Sequence, residues 1–228
     1  MIISVDGAVV GADGRSGSLS GPADRLVFRA LRGVADVILA GAATVRAEKY
    51  GPPRLAPDVQ HVRRQRGQSA LPRMAVVSAG LRLDPTQGLF REAPADQRPI
   101  VLTTTEALRA RPGTQPDDPL ADLADVAELR ECGQHTVDWT RALRQLRRDA
   151  GVVLVEGGPT VNSQLIVADL IDEYCLTVSP SLVGRAGLAW ATGDAADSLR
   201  RLHLRDVLEQ DDFLFLRYLR DGVTTVTE

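Results

Sequence analysis

Short apolar runs rich in β-branched residues alternate along this chain with stretches of helical period. Ile2–Val5, Asp36–Leu39, Met74–Val77, Ile100–Leu102, Val152–Val155 and Tyr174–Val178 read as strands, most of them apolar on both faces. Between them, Leu26, Val27, Ala30 and Leu31 fall on one side of a helix over Ala23–Gly33, with Pro22 suited to its first turn. Leu143, Leu146 and Ala150 mark a second amphipathic helix over Trp139–Ala150. Ala42–Glu48 and Val161–Asp169 read as shorter helices, and Thr105–Arg111 as one that dissolves into RPGTQPDDP. Residues 51–72, rich in Pro, Arg and Gln, read as an exposed, mobile excursion. Phe213–Arg220 alternates as a long terminal strand.

Strands alternating with helices imply an α/β fold, taken here as one domain over 1–228. Its expected form is a doubly wound, mostly parallel sheet with an antiparallel C-terminal strand. Ligands of such sheets bind at the carboxyl ends of the strands, where the strand order reverses.

Composition narrows the function classes. With 44% hydrophobic and 25% charged residues, the 228-residue chain has an ordinary globular make-up. A net charge of −3 gives no bulk attraction to nucleic acid or anionic lipid. There is no run of about 18 apolar residues and no basic leader before MIISVDG, so neither a membrane span nor export is expected, and the location follows as cytoplasmic. Cys132 and Cys175 stand far apart and read as free thiols, and three scattered histidines give no metal-ligand spacing. Lys49 is the single lysine.

The chemistry concentrates at strand ends. GVVLVEGGPTV (151–161) closes a strand with Glu156, Gly157 and Gly158 before Pro159 opens a helix. Adjacent glycines let backbone approach a ligand, and the helix start at Thr160 and Val161 offers N–H groups to a phosphate. A bare βα turn has the same pattern. Gly41 and Thr44 of AGAATVRAE repeat the arrangement, while Ser78 and Thr103-Thr104 close two further strands, as the lining of a dinucleotide groove would. GxGxxG at a strand–helix junction, GxxxxGK[ST], GxSxG, HExxH and the zinc-deaminase signature are all missing.

Three separated motifs then coincide in order: ISVDG (3–7), LSGPADRLVFRALRGVADVILAGAATVRAE (19–48) and LVEGGPTVNSQLIVADLIDEYCLTVSPSLVG (154–184). Together they resemble the pyrimidine reductase domain of riboflavin biosynthesis, the reductase half of a bifunctional deaminase-reductase, in the dihydrofolate reductase-like fold superfamily. The resemblance implies NADPH as cofactor and a phosphorylated ribosylaminopyrimidine as substrate. It places Gly157, Gly158, Pro159, Thr160 and Val161 under the cofactor phosphates, with Gly41, Ala43 and Thr44 as a second turn. Ser78, Ala79, Thr103 and Thr104 fall toward the adenosine. Glu156 becomes a substrate-side carboxylate with a catalytic role, and Ser4, Asp6, Ser20, Arg25 and Glu48 join the substrate side. Asp24 stands near the place where folate reductases hold their pterin-binding acid, and equally suits an ordinary first-turn aspartate. A homodimer is implied too, with the apolar edge of the terminal strand as its seam.

Departures from that pattern concern the acceptor. Ala8 stands where a basic residue is usual, Glu48-Lys49-Tyr50 replaces an Asp-Asp-Pro run, and no deaminase half is attached. Three readings follow: a riboflavin-type pyrimidine reductase, a dihydrofolate reductase-like enzyme, or an NADP-binding protein without turnover.

Overall fold

In chain order the elements are β1 (Ile2–Ser4), α1 (Pro22–Val34), β2 (Val37–Gly41), α2 (Ala42–Ala47), α3 (Pro57–Gln65), β3 (Arg73–Val77), α4 (Gly88–Arg91) and β4 (Ile100–Thr103). There follow α5 (Thr105–Arg109), α6 (Pro119–Val126), β5 (Glu128–Glu131), α7 (Trp139–Leu146), β6 (Val153–Gly157), α8 (Pro159–Val167), β7 (Glu173–Ser179), β8 (Leu202–Gln210) and β9 (Phe213–Arg220). The structure, a computed structural model, describes residues 1–110, 119–184, 191 and 199–223. The stretch of RPGTQPDDP at 111–118 lies outside them. Contacts divide the chain into two compact units, Met1–Phe28 with Pro159–Glu228, and Arg29–Gly158.

The second unit is built on a wholly parallel sheet in the order β5-β4-β3-β2-β6. Its central strands are apolar on both faces because helices of the βα connections cover them, and Ile38, Leu39, Ala75, Val76, Ile100 and Val101 are fully buried. One core joins Ile38, Val45, Met74, Val76, Leu89, Phe90 and Leu123. Residues 57–65, expected as part of a mobile excursion, instead form α3. Pro57 suits its first turn. Arg63 is 1% exposed and donates to the carbonyls of Gly33, Ala35 and Ser69, pinning the helix to the α1–β2 connection. Polar composition hid this because the buried residue is an arginine serving backbone acceptors.

The first unit carries a four-stranded sheet, β1-β7-β9-β8, in which β1 and β7 are parallel and the rest antiparallel. Thus the α/β class and the largely parallel sheet with antiparallel C-terminal strands are present, but the antiparallel strands belong to a sheet of their own. Ile2, Leu19, Ala23, Phe213 and Phe215 form the core here, with the two phenylalanine rings stacked at 6.3 Å. Asp211 and Asp212, at φ 54° and 64°, make the two-residue turn of the β8–β9 hairpin.

The terminal strand β9, expected as an edge, instead lies between β7 and β8. The edges are β1 and β8, and β8 is exposed along its whole length. Its alternation is broken by charges and by a bulge between Leu204 and Asp206, which is why periodicity misses it. Strand β5 is missed for a related reason: ELRE is mostly charged, and Arg130 pairs with both Glu128 and Asp149.

Both cysteines are free, and burial pushes each thiol up to about 11. Among the described residues no helix is long and apolar enough to cross a membrane, and no group of three His, Cys, Asp or Glu side chains is placed to hold a metal.

Candidate active site

Strand order locates the crevice. β3, β4 and β5 step outward on one side of β2, whereas β6 lies on the other, so the order reverses between β2 and β6. In sheets of this kind the connections diverge at such a point, and ligands bind at the carboxyl ends of the two strands. β2 ends there at Gly41 and β6 at Gly157, the two strand ends singled out by their glycines.

The end of β6 is irregular. Leu39 pairs with Val155 and Ala40 with Gly157, which makes Glu156 the extra residue of a bulge. Gly157 has φ +90°, a conformation that favours glycine, and the Gly157–Gly158 peptide is cis. A Cβ on Gly158 would stand 2.5 Å from Oγ1 of Thr44, in the first turn of α2. The two glycine-bearing turns therefore meet with only a hydroxyl and a bare backbone between them, a cradle that a side chain would fill. After Gly158 the chain enters α8, whose first turn holds no acidic residue.

Glu156 is surrounded by protein donors. Arg32, from the last turn of α1, donates Nε to Oε1 and Nη2 to Oε2, both at 2.7 Å. The Tyr50 hydroxyl donates to Oε2 at 2.8 Å, and the Arg32 guanidinium lies 5.5 Å from the centre of the Tyr50 ring. The glutamate side chain is only 3% exposed. Burial and then the Glu156 carboxylate push the Tyr50 phenol well above its usual range. Burial opposes the Arg32 cation, but Glu156 outweighs it and the guanidinium is held charged. Neither Arg32 nor the Tyr50 hydroxyl carried any signal in sequence, for they lie 124 and 106 residues from their partner.

Ser78, Thr103 and Thr104 close β3 and β4, but their hydroxyls serve the fold. Ser78 Oγ accepts from the Arg82 N–H, both threonines donate to the Ala79 carbonyl, and Thr104 caps α5. Ala43, Glu48, Lys49 and Thr160 are exposed. In the first unit, Ser4 donates to Asp6 at 2.6 Å, and Asp6 accepts from the N–H groups of Gly184 and Val183. The Ser4 hydroxyl and then the Gly184 and Val183 amides lower the Asp6 carboxyl to about 2. Ala8 is 1% exposed. Ser20 donates to Asp24 at 2.7 Å in the first turn of α1, and Arg25 beside it is exposed.

A family model, RibD C-terminal domain, matches residues 1–211. The chain belongs to the RibD C-terminal domain family. A curated relative, the 2,5-diamino-6-ribosylamino-4(3H)-pyrimidinone 5′-phosphate reductase of Methanothermobacter thermautotrophicus, is 27% identical over 226 residues, covering 96% of this chain and 95% of the relative. A crystal structure of a pyrimidine reductase-like protein from Corynebacterium diphtheriae superposes with a TM-score of 0.82 at 28% identity, over 96% of this chain and 89% of that one. Dihydrofolate reductase of Enterococcus faecalis, 12% identical with a TM-score of 0.50 over 97% and 94% of the two chains, shares the fold.

Within this RibD C-terminal domain the motif residues fall into two groups. Gly41, Thr44, Glu156, Gly157 and Gly158 converge at the reversal of strand order. Ser4 with Asp6, and Ser20 with Asp24, form two hydrogen-bonded clusters in the first unit, Asp6 reaching the distant Val183 and Gly184 amides, and Arg25 is exposed next to Asp24.

Proposed function

We propose that the chain is an NADPH-dependent reductase of the riboflavin pathway. Its acceptor is the ribosyl group of a 5-amino-6-(5-phosphoribosylamino)uracil-type pyrimidine. One observation carries the reading: the Gly157–Gly158 turn, laid bare against Thr44 where β2 and β6 diverge. Family membership and the activity in the archaeal relative's name support it. In this reading Gly41, Ala43, Thr44, Gly157 and Gly158, with Pro159, Thr160 and Val161 opening α8, hold the cofactor phosphates. Ser78, Thr103 and Thr104 support its adenosine side by fixing the ends of β3 and β4.

Bound NADPH supplies the hydride, so the chain's own tasks are to bind, orient and deliver a proton. Asp24, half-buried and held by Ser20, is assigned the proton. Ser4, Asp6, Arg25 and Glu48 are assigned to substrate binding. Loss of NADPH absorbance with the pyrimidinone phosphate, and none with dihydrofolate, is the expected result. Turnover of dihydrofolate alone overturns the substrate assignment. Tight NADPH binding without turnover of either overturns the enzymatic one. Asp24→Asn should lower kcat at least about a hundredfold, the scale of lost general acid catalysis.

The functional form is proposed to be a homodimer joined along β8, whose Leu202, Leu204, Val207 and Leu208 are exposed on an unpaired edge. Light scattering should give twice the chain mass; a monomer at micromolar concentration contradicts this.

A further inference from the structure

Burying a carboxylate at the extra position of a bulge is costly unless every oxygen is satisfied, and here Arg32 and Tyr50 satisfy both. The three side chains come from α1, from the residues just after α2, and from β6. Tyr50 is also tied through its main chain, its N–H donating to the Val45 carbonyl of α2 at 3.1 Å. Helix α2 thus touches the end of β6 twice: Thr44 meets Gly158 at its first turn, and Tyr50 holds Glu156 just past its last. Arg32 braces the same carboxylate from α1 with a two-pronged contact, a geometry that leaves Glu156 little freedom.

We propose that Arg32 and Tyr50 are positioning residues for the cofactor: by clasping Glu156 they set the Gly157–Gly158 turn against Thr44 and thereby fix the affinity for NADPH. The inference rests on the reading that NADPH binds at this turn. It gives Tyr50 a purpose that the sequence left open. Tyr50 falls where the resembled pattern has a proline, which has no hydroxyl to offer. Glu156 itself becomes the link between the clasp and the turn.

The test uses the whole protein and NADPH alone, followed by fluorescence titration, with thermal melts in parallel. Tyr50→Phe keeps the ring and removes the hydroxyl, while Arg32→Lys keeps the charge and loses the fork. Each should raise the NADPH Kd about tenfold, the scale of one lost hydrogen bond to a charged group. Because both act through one carboxylate, the double variant should fall well short of the hundredfold product. In turnover, KM for NADPH should rise while kcat at saturation stays near that of the parent chain.

A lowered melting temperature with an unchanged Kd in Tyr50→Phe, in a parent chain that binds NADPH, makes the clasp merely structural and overturns the proposal. Should Arg32→Lys fail to fold, Tyr50→Phe decides alone. A parent chain that does not bind NADPH defeats the functional reading and this inference together, so the two failures are told apart.

Discussion

Glu156→Ala is expected to destabilise the second unit by about 3–5 kcal/mol, the usual consequence of removing one partner from a buried ion pair. The reason is asymmetry. Arg32 keeps its charge, and its side chain is only 22% exposed, so the substitution takes the two-pronged carboxylate away from a largely buried cation that lies over the Tyr50 ring. A domain of this size is stable by only about 5–15 kcal/mol, so the loss should move the urea midpoint sharply downward. Replacing both charges, as in Arg32→Met with Glu156→Leu, should recover part of it, because no buried cation is left without its carboxylate, while the Tyr50 hydroxyl still loses its acceptor. A cost below about 1 kcal/mol for Glu156→Ala would show that Arg32 escapes to solvent and that the pair behaves as a surface one.

Gly158→Ala is expected to weaken NADPH binding ten- to a hundredfold, from the roughly 1–3 kcal/mol that overpacking costs. The new methyl would sit 2.5 Å from the Thr44 hydroxyl, in the gap between the two turns. Either Thr44 turns its hydroxyl away or β6 withdraws, and both spoil the cradle. The double variant Gly158→Ala with Thr44→Ala removes the atom that the methyl meets. It should regain stability but not affinity, since the gap stays filled and the hydroxyl is lost. Affinity equal to that of the parent chain in the single variant would remove Gly158 from the cofactor site.

The glycines at 157 and 158 were legible because a turn that needs open space or a positive φ states that need in its own residues, whereas Gly41 has an ordinary extended conformation. Glu156 was legible as an oddity, but its protein partners were not. A carboxylate at the end of an apolar strand looks addressed to a ligand, and in the structure its oxygens also accept from Arg32 and Tyr50. Ser78, Thr103 and Thr104 were similar: correctly placed at strand ends, but with hydroxyls bound to neighbouring backbone and side-chain groups. Helix α3 and strands β5 and β8 escaped periodicity because charged residues dominate them, and what holds Arg63 or Arg130 in place lies far along the chain or on another element.

By itself the sequence determined the α/β class, the positions of the central strands to within two residues, the two glycine turns and the order of motifs that marks the family. Those features depend on residues a few positions apart, where period, turn chemistry and helix starts are written. Tertiary structure alone decided that β2 and β6 are neighbours, which brings the two glycine turns together, and that β8 rather than β9 forms an edge. It also decided which side chains Glu156 meets. Strand order and buried ion pairs come from packing among groups more than a hundred residues apart, and no local pattern specifies which of several arginines will meet a given carboxylate.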